Sequence, residues 1–580
     1  MSFDYPRPQF RREAYVCLDG TWNYKLPNGE TGVINVPYVY QCEASGIGKP
    51  LPEGKITYER TLHIPQEWEA DIIRLHFNAV DYEAKVFING HMAAHHEGGQ
   101  IGFHVDLNDY LVPGSEQSLK VEVSDRPNDE RIPRGKQTWK GKGHWIFYTP
   151  TTGIWQTVWM EPVPKASLQK LRYTPDVDHG TLEVAIEVED TCPLPCQVSL
   201  TASLEGVPAA QATVTLYDQR TLVSLDILKG QVIAGTHFNN GLCWSPDSPT
   251  LFDMEAKVLV DGQVTDTVQS YFGMRKVNCV NGRVYLNNHP CPQKLVLDQG
   301  YWPGCLLTAP NTDAFKVDIE KAKAMGFNGC RKHEKVEDPR FLYWADKLGF
   351  MVWGATASFY RYDELSATRH MKEWLELLAR DYNHPSIVCW DVLNESWGVP
   401  AIRLDKHQQQ YANALYAMAH AVDGTRPVVS NDGWEMTYTD IVALHSYQHG
   451  GPNDKHMRKV FKDNLKDLDT LSRSTLCEHH QAFAEGYKYE GQPVILSEYG
   501  GMALGQGEGD SWGYNTAQST DEFLDDYEDL IRTIAESGLF SGFCYTQLTD
   551  VEQEQNGIMT VDREFKVDPD RLKKIHDLLR

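Results

Sequence analysis

No stretch of the chain approaches the ~20 consecutive apolar residues that a bilayer-spanning helix needs. The opening MSFDYPRPQFRREAY lacks the apolar centre of a secretory signal, so no leader is expected. Positive charge is scarce: 55 Lys and Arg face 80 Asp and Glu, a formal charge of −25. That imbalance argues against nucleic acid and anionic membranes as partners, because nothing offsets phosphate repulsion. It also mildly disfavours polyanionic substrates. The twelve cysteines form no metal-ligand pattern. Cys192 and Cys196 are the closest pair, and no second pair completes a zinc site. Others, such as Cys330 and Cys389, lie inside apolar runs and read as reduced core residues of a cytoplasmic protein. No cofactor and no metal are expected.

What is present is an ordinary globular composition, 41% hydrophobic and 23% charged, in 580 residues. That length predicts roughly three or four domains at ~150 residues each. Residues 1–164 alternate apolar and polar positions in ITYERTLHI, IIRLHFNAV, AKVFINGHM and LKVEVSD, the period of half-buried antiparallel strands. Asn89-Gly90 marks a hairpin turn. Trp22, Trp145, Trp155 and Trp159 supply core bulk for a jelly-roll β-sandwich, and Arg126 to Thr152 reads as a long inserted loop. Residues 165–277 repeat the alternation in TLEVAIEVE, CQVSLTASL, TLVSLDIL and DMEAKVLVDG, spaced like an immunoglobulin-like sandwich.

From 278 to 580 apolar strands alternate with amphipathic helices. Asn311 or Thr312 caps a helix that Gly326 ends, Asp338-Pro339 opens a second that Gly349 ends, and Met371, Trp374, Leu375 and Leu378 line a third. Eight strand candidates, KLVLD, FNGCRKH, FMVWG, IVCWDVLN, PVVSN, DIVALHS, PVILSE and SGFCYT, fit a (β/α)8 TIM barrel. A doubly wound sheet would want a Gly-rich first turn, which is missing.

Glu395 in WDVLNESWG closes the fourth of these strands and Glu498 in PVILSEYGG the seventh. Buried strands seldom end on an acid, because an unpaired carboxylate is costly to desolvate. Barrel active sites lie at the C-terminal strand ends, so the two glutamates face one pocket. A retaining glycosidase needs such a pair about 5–5.5 Å apart, one as nucleophile and one as acid/base. Other strand ends offer polar groups suited to a sugar: Asp298, His333, His445, Tyr447 and Gln547. Trp397, Trp434 and Trp512 could stack on sugar faces, or simply pack. A segment from about Gly450 to Gln492 reads as a lid, a subunit contact or an inert loop.

Together TTGIWQTVWMEPV, SYFGMRKV, NESWG around Glu395 and SEYGG around Glu498 resemble glycoside hydrolase family 2 over essentially the whole chain. The resemblance implies a jelly roll, an immunoglobulin-like domain and a TIM barrel carrying an exo-acting, retaining β-glycosidase. It implies Glu395 as acid/base, Glu498 as nucleophile, Asn394 on the sugar 2-hydroxyl and Tyr447 beside the nucleophile. Family β-glucuronidases carry an Asn-x-Lys motif after the eighth strand, where this chain reads Asn556-Gly557-Ile558. A neutral hexoside, a β-galactoside, is therefore the favoured substrate, with β-glucuronidase and β-mannosidase as alternatives, since Arg331, Lys332 or a loop residue could still bind an acid. A carbohydrate-binding protein without turnover would not need both glutamates. A metal-dependent hydrolase would need more ligands than His333, His445 and Asp298. The chain also stops short of the extra C-terminal domains of long family members, and a homo-oligomer is expected.

Overall fold

The computed structural model describes residues 4–68, 71–114, 116–228, 241–452, 454–473, 479–505 and 511–579. The first region is a β-sandwich. Its six-stranded antiparallel sheet contains Thr31–Val36, Gly20–Lys25, Lys55–Leu62, Gln117–Ser124, Glu83–Ile88 and His91–Glu97 in that order. A four-stranded sheet with Val158–Val163 and Ile72–Phe77 at its centre covers it. Trp22, Tyr58, Leu75 and Val121 fill the space between. Asn89 and Gly90 form the two-residue turn between Glu83–Ile88 and His91–Glu97, both at positive φ (51° and 84°), as a primed turn requires. A second sandwich packs three strands against four, and Val184, Val198, Leu200 and Met254 share its core.

The barrel follows. Its strands are β1 (Gln293–Asp298), β2 (Gly329–Lys332), β3 (Met351–Ala355), β4 (Ile387–Asp391), β5 (Val428–Val429), β6 (Val442–Ser446), β7 (Val494–Gly500) and β8 (Phe540–Thr546). They form one parallel sheet in the order β5-β4-β3-β2-β1-β8-β7-β6. Gly433 closes the ring between β5 and β6, donating its N–H to Ala443 O (3.1 Å) and accepting from His445 N (3.3 Å). Leu295, Leu297, Trp353, Val429 and Ile495 fill the barrel together with Val277, Val284 and Leu286 of a small three-stranded sheet that precedes it.

Helices α1 (Thr312–Ala324), α2 (Pro339–Leu348), α3 (Glu364–Asp381) and α4 (Lys406–Val422) follow β1 to β4 in turn. Local chemistry sets their ends. Asn311 accepts from Ala314 N at the start of α1, Asp338 caps α2 with Pro339 at its first turn, and Gly349 ends α2 at φ 69°. The alternation is broken once, since residues 430–441 contain no helix. Between β6 and β7 lie α5 (Lys455–Asn464) and α6 (Leu468–Arg473). Arg458 ties α5 to Asp526 (2.6 Å) and Asp529 (3.1 Å). Part of that expected lid segment, residues 453 and 474–478, lies outside the described residues.

Two expectations need correction. Trp145 is not sandwich core but 56% exposed, in the inserted loop, where its carbonyl accepts from Trp512 Nε1 and Gln553 Nε2. Leu375 is 42% exposed, because the buried stripe of α3 runs through Trp374, Leu377 and Leu378, one position along from it. Trp374 sits edge-on to Trp390 (6.0 Å) and donates to Leu415 O (3.1 Å). Trp374→Ala should therefore cost about 3–5 kcal/mol, against about 0.5 kcal/mol or less for Leu375→Ala. Melting temperatures of the two variants check this, and similar losses would mean the face is misassigned.

Candidate active site

β2 carries a positive charge into the barrel where an apolar residue would ordinarily stand. Arg331 is completely buried. Its Nη1 donates to Glu498 Oε1 (2.7 Å), its Nη2 to Asn394 Oδ1 (2.7 Å), and its Nε lies 2.6 Å from both Asp391 Oδ2 and Asp432 Oδ2. Burial, and then the charge of Asp432, outweigh the guanidinium and push Asp391 up. Asp432 resists burial because Arg331 and His445 hold it below the usual carboxylate range. Asp391 is thus pushed towards its neutral form and Asp432 towards its ionised form.

Glu498 lies inside β7, where the register shifts against both neighbours, a bulge that re-aims a strand side chain. Each of its oxygens has a donor: Arg331 on Oε1, and the Tyr447 hydroxyl, just past β6, on Oε2 at 2.6 Å. Burial would raise this carboxyl, but His445, His333 and Arg331 together hold it well below its ordinary range. Glu498 is thus an anion, oriented from both sides. The Tyr447 ring is stacked on Tyr514 at 3.5 Å, which fixes the hydroxyl's direction.

Glu395 does not end β4, as the sequence suggests, but lies four residues beyond it. Glu395 and Ser396 both adopt left-handed backbone, φ 50° and 56°, a strained pair for residues with side chains. Bonds to the segment after β5 hold the turn: Glu395 N to Asp432 O (2.8 Å) and Ser396 N to Asn431 Oδ1 (3.1 Å). His445 joins the two glutamates. Its Nδ1 is 2.8 Å from Glu395 Oε1, its Nε2 is 3.0 Å from Asp432 Oδ1, and Glu498 Oε1 lies 3.6 Å from the same Nε2. Burial alone would lower the imidazole, yet Glu498 and Asp432 override it and push it up to about 10. The Glu395 side chain is 16% exposed and that of Glu498 5%, so Glu395 stands nearer the entrance.

Glu395, His445 and Glu498 each place one potential metal-ligand atom within 4.8 Å of the others. Both nitrogens of His445 are committed to carboxylates, so the cluster fits a hydrogen-bonded acid pair better than a metal centre.

Of the remaining expected residues, Asn394 and Trp397 line the pocket with the two glutamates, as do His333 and Tyr447. Asp298 and Gln547 do not. Asp298 pairs with Lys332 at 2.8 Å, and Gln547 sits behind Gln299, from which it accepts at 2.8 Å. His333 Nδ1 lies 3.0 Å from Gln299 Oε1, and its Nε2 is 3.5 Å from Glu498. Ile558, third residue of the stretch compared with Asn-x-Lys, is fully buried.

One wall of the pocket, which the sequence leaves open, comes from the first sandwich. Lys136, Ile146 and Phe147 of the inserted loop line the same pocket. Tyr148 Oη donates to Glu554 (2.6 Å) and Gln553 Nε2 to Phe147 O (2.9 Å), which clamps the loop onto the segment after β8. Phe147 also packs edge-on against Trp397, with centroids 5.6 Å apart.

Models described as the sugar binding domain of glycosyl hydrolases family 2, as glycosyl hydrolases family 2, and as that family's TIM barrel domain match residues 11–144, 166–275 and 309–579. A putative beta-glucuronidase of Formosa agariphila is 25% identical over 83% of this chain and 55% of its own length. A beta-galactosidase of Thermoanaerobacter pseudethanolicus is 22% identical over 64% of this chain and 47% of its own. The chain thus spans about half the length of these two relatives. A solved β-glucuronidase from Ruminococcus gnavus, in complex with N1-substituted uronic isofagomine, covers 99% of both chains with a TM-score of 0.78 at 18% identity, a likeness of fold.

The raised His445 has a measurable consequence. The fold favours its charged form, so its contribution to stability is complete below its ordinary value of 6.5 and is lost as pH rises through about 10. The stability difference between wild type and His445→Gln should shrink across that window in melts at pH 6 to 10. A pH-independent difference would mean that the imidazole is neutral.

Proposed function

The chain belongs to glycoside hydrolase family 2, and from that premise we propose that it is a glycoside hydrolase that cleaves β-linked terminal sugars by double displacement. One observation carries the reading: two carboxylates with oxygens within 4.8 Å, bridged by one imidazole, in a buried pocket at the barrel mouth. That spacing leaves no room for a water between glutamate and sugar, which favours direct attack over inversion.

Glu498, anionic and aimed by Arg331 and Tyr447, attacks the anomeric carbon and forms the glycosyl-enzyme. Glu395, nearer the entrance, donates a proton to the departing oxygen and later takes one from the incoming water. Covalent capture removes the charge of Glu498, so the field on the neighbouring His445 and Glu395 changes between the half-reactions, which suits one residue acting as acid and then as base. Asn394, oriented by Arg331, is placed to meet a sugar hydroxyl.

The relatives carry both β-glucuronidase and β-galactosidase in their names, so the galactoside expectation has no advantage over the uronoside. Glu498→Ala should lower kcat/KM on aryl β-glycosides by roughly 10⁴-fold or more. Glu395→Ala should slow substrates with poor leaving groups far more than good ones, and azide should restore part of its rate on the good ones. The first-formed sugar should be the β-anomer by NMR. An α-anomer, or a Glu498→Ala variant within tenfold of wild type, would falsify the double displacement.

A further inference from the structure

Cations around the pocket fall into two groups. Arg331 is surrounded by Asp391, Asp432, Glu498 and Asn394. Lys332 pairs with Asp298 (2.8 Å) and Glu337 (2.9 Å). Lys335 reaches Glu337 (2.9 Å) and the carbonyls of Gly300 and Leu307. Lys136 differs from all three. It is 7% exposed and lines the cavity of Glu395 and Glu498, yet its ammonium makes no hydrogen bond or ion pair among the described residues. The rings of Phe147 and Tyr148, 5.8 and 5.5 Å away, flank it.

Two acids feel its charge without taking it. Glu334 accepts from Ser358 (2.6 Å) and Tyr360 (3.3 Å), and Glu554 accepts from Tyr148 (2.6 Å) and Asn556 (3.2 Å). The backbone that delivers the lysine is itself held. Arg134 N and Gly135 N both donate to Ser358 O (2.9 and 3.0 Å), and Tyr148 N donates to Lys136 O (2.8 Å). Gly135 has φ 57°, and a Cβ there would lie 2.1 Å from Glu334 O, so only glycine lets the loop approach this closely. An ammonium at a pocket wall with no bonded carboxylate is open to meet an anion entering the pocket. A rigid loop that positions one beside the catalytic acids calls for an anion on the substrate.

We propose that Lys136 is a specificity residue that receives the C6 carboxylate of the glycone, which makes the chain a β-hexuronosidase. This rests on the glycosidase reading above. With the anomeric carbon at Glu498, the ring lies in the pocket that Lys136 lines, and in an otherwise unmodified hexose C6 is the carbon that oxidation turns into a carboxylate. One ammonium matches a monoanion. A phosphate at C6 would bring a second charge towards Glu334 and Glu554 with no further cation to meet it.

Initial rates on 4-nitrophenyl β-glucuronide, β-galacturonide, β-glucoside, β-galactoside and β-galactoside 6-phosphate test this, using wild type, Lys136→Gln, Lys136→Arg and Glu498→Ala. Wild type should prefer one of the uronosides. Lys136→Gln should lose about a hundredfold in kcat/KM on it, with a loss on the matching neutral sugar about tenfold smaller or less. Lys136→Arg should recover part of the uronoside rate. In wild type alone, free uronate should inhibit at lower concentration than the neutral sugar, a measurement that needs no variant to fold. Equal losses on charged and neutral sugars, or a wild-type preference for a neutral sugar or the 6-phosphate, overturn the assignment of Lys136. Activity that depends on Glu498 but ignores Lys136 overturns only that assignment. Silence of wild type on every glycoside overturns the glycosidase reading and this proposal with it.

Discussion

The Arg331 guanidinium lies at the centre of the barrel mouth, out of reach of water, and side chains from β4, β7 and the segments after β4 and β5 are oriented by it. A buried cation is tolerable only with carboxylates around it, and buried carboxylates only with a cation among them. Each therefore fixes the position of the others. Asp432, in turn, accepts from Ser497 of β7 and meets His445 of β6, while its backbone carries the Glu395 turn. The bonds that solvate one charge thus run through β2, β4, β6 and β7, and through the fifth segment that closes the ring. Removing the guanidinium would leave Glu498 and Asp432 without their main counter-charge, so the site's geometry and the fold's stability depend on the same group.

Charge around that centre is distributed rather than cancelled. Next to Arg331 the field pushes Asp391 towards its neutral form, while Asp432 and Glu498 favour a charged His445 and the cations around Glu498 favour its ionised form. A carboxylate so thoroughly solvated by fixed donors needs no water around it, which suits the nucleophilic role proposed for it. Glu395 has a different environment. Among the described residues its carboxylate is tied to His445 alone, and its more open position suits the acid/base role proposed for it.

Much of this was legible in the sequence because it follows from periodicity. Strand spacing, the Asn311 and Asp338 caps and the Asn89-Gly90 turn are local signals, and the structure reproduces them. The two glutamates stood out as acids at the ends of apolar runs. The turn at Glu395 was not legible, since left-handed backbone at two non-glycine residues is imposed by Asn431 and Asp432 from another strand. Arg331 was visible as a charge inside an apolar strand, but its four partners come from residues 60 to 167 positions away. Leu375 misled because it neighbours a buried stripe without belonging to it, and Trp145 because tryptophan bulk says nothing about whether a loop is folded inward.

The most instructive omission is the inserted loop. Between Arg126 and Thr152 there is no period to read, and Lys136 looks like any other lysine in a polar stretch. Its meaning arises only when Gly135 packs on Glu334 O and Tyr148 reaches Glu554, contacts that span about 200 and 400 residues of sequence. The barrel alone supplies both carboxylates proposed to be catalytic and the charges that surround them. It leaves one wall of the pocket open. The sandwich closes that wall with Phe147 against Trp397 and with a cation that no barrel carboxylate bonds among the described residues. On the two proposals above, chemistry and selection of the sugar lie in different domains. If Lys136 selects the sugar, changes in the loop would alter that choice without disturbing the Arg331 network, because the two share the pocket but no hydrogen bond joins Lys136 to that network among the described residues.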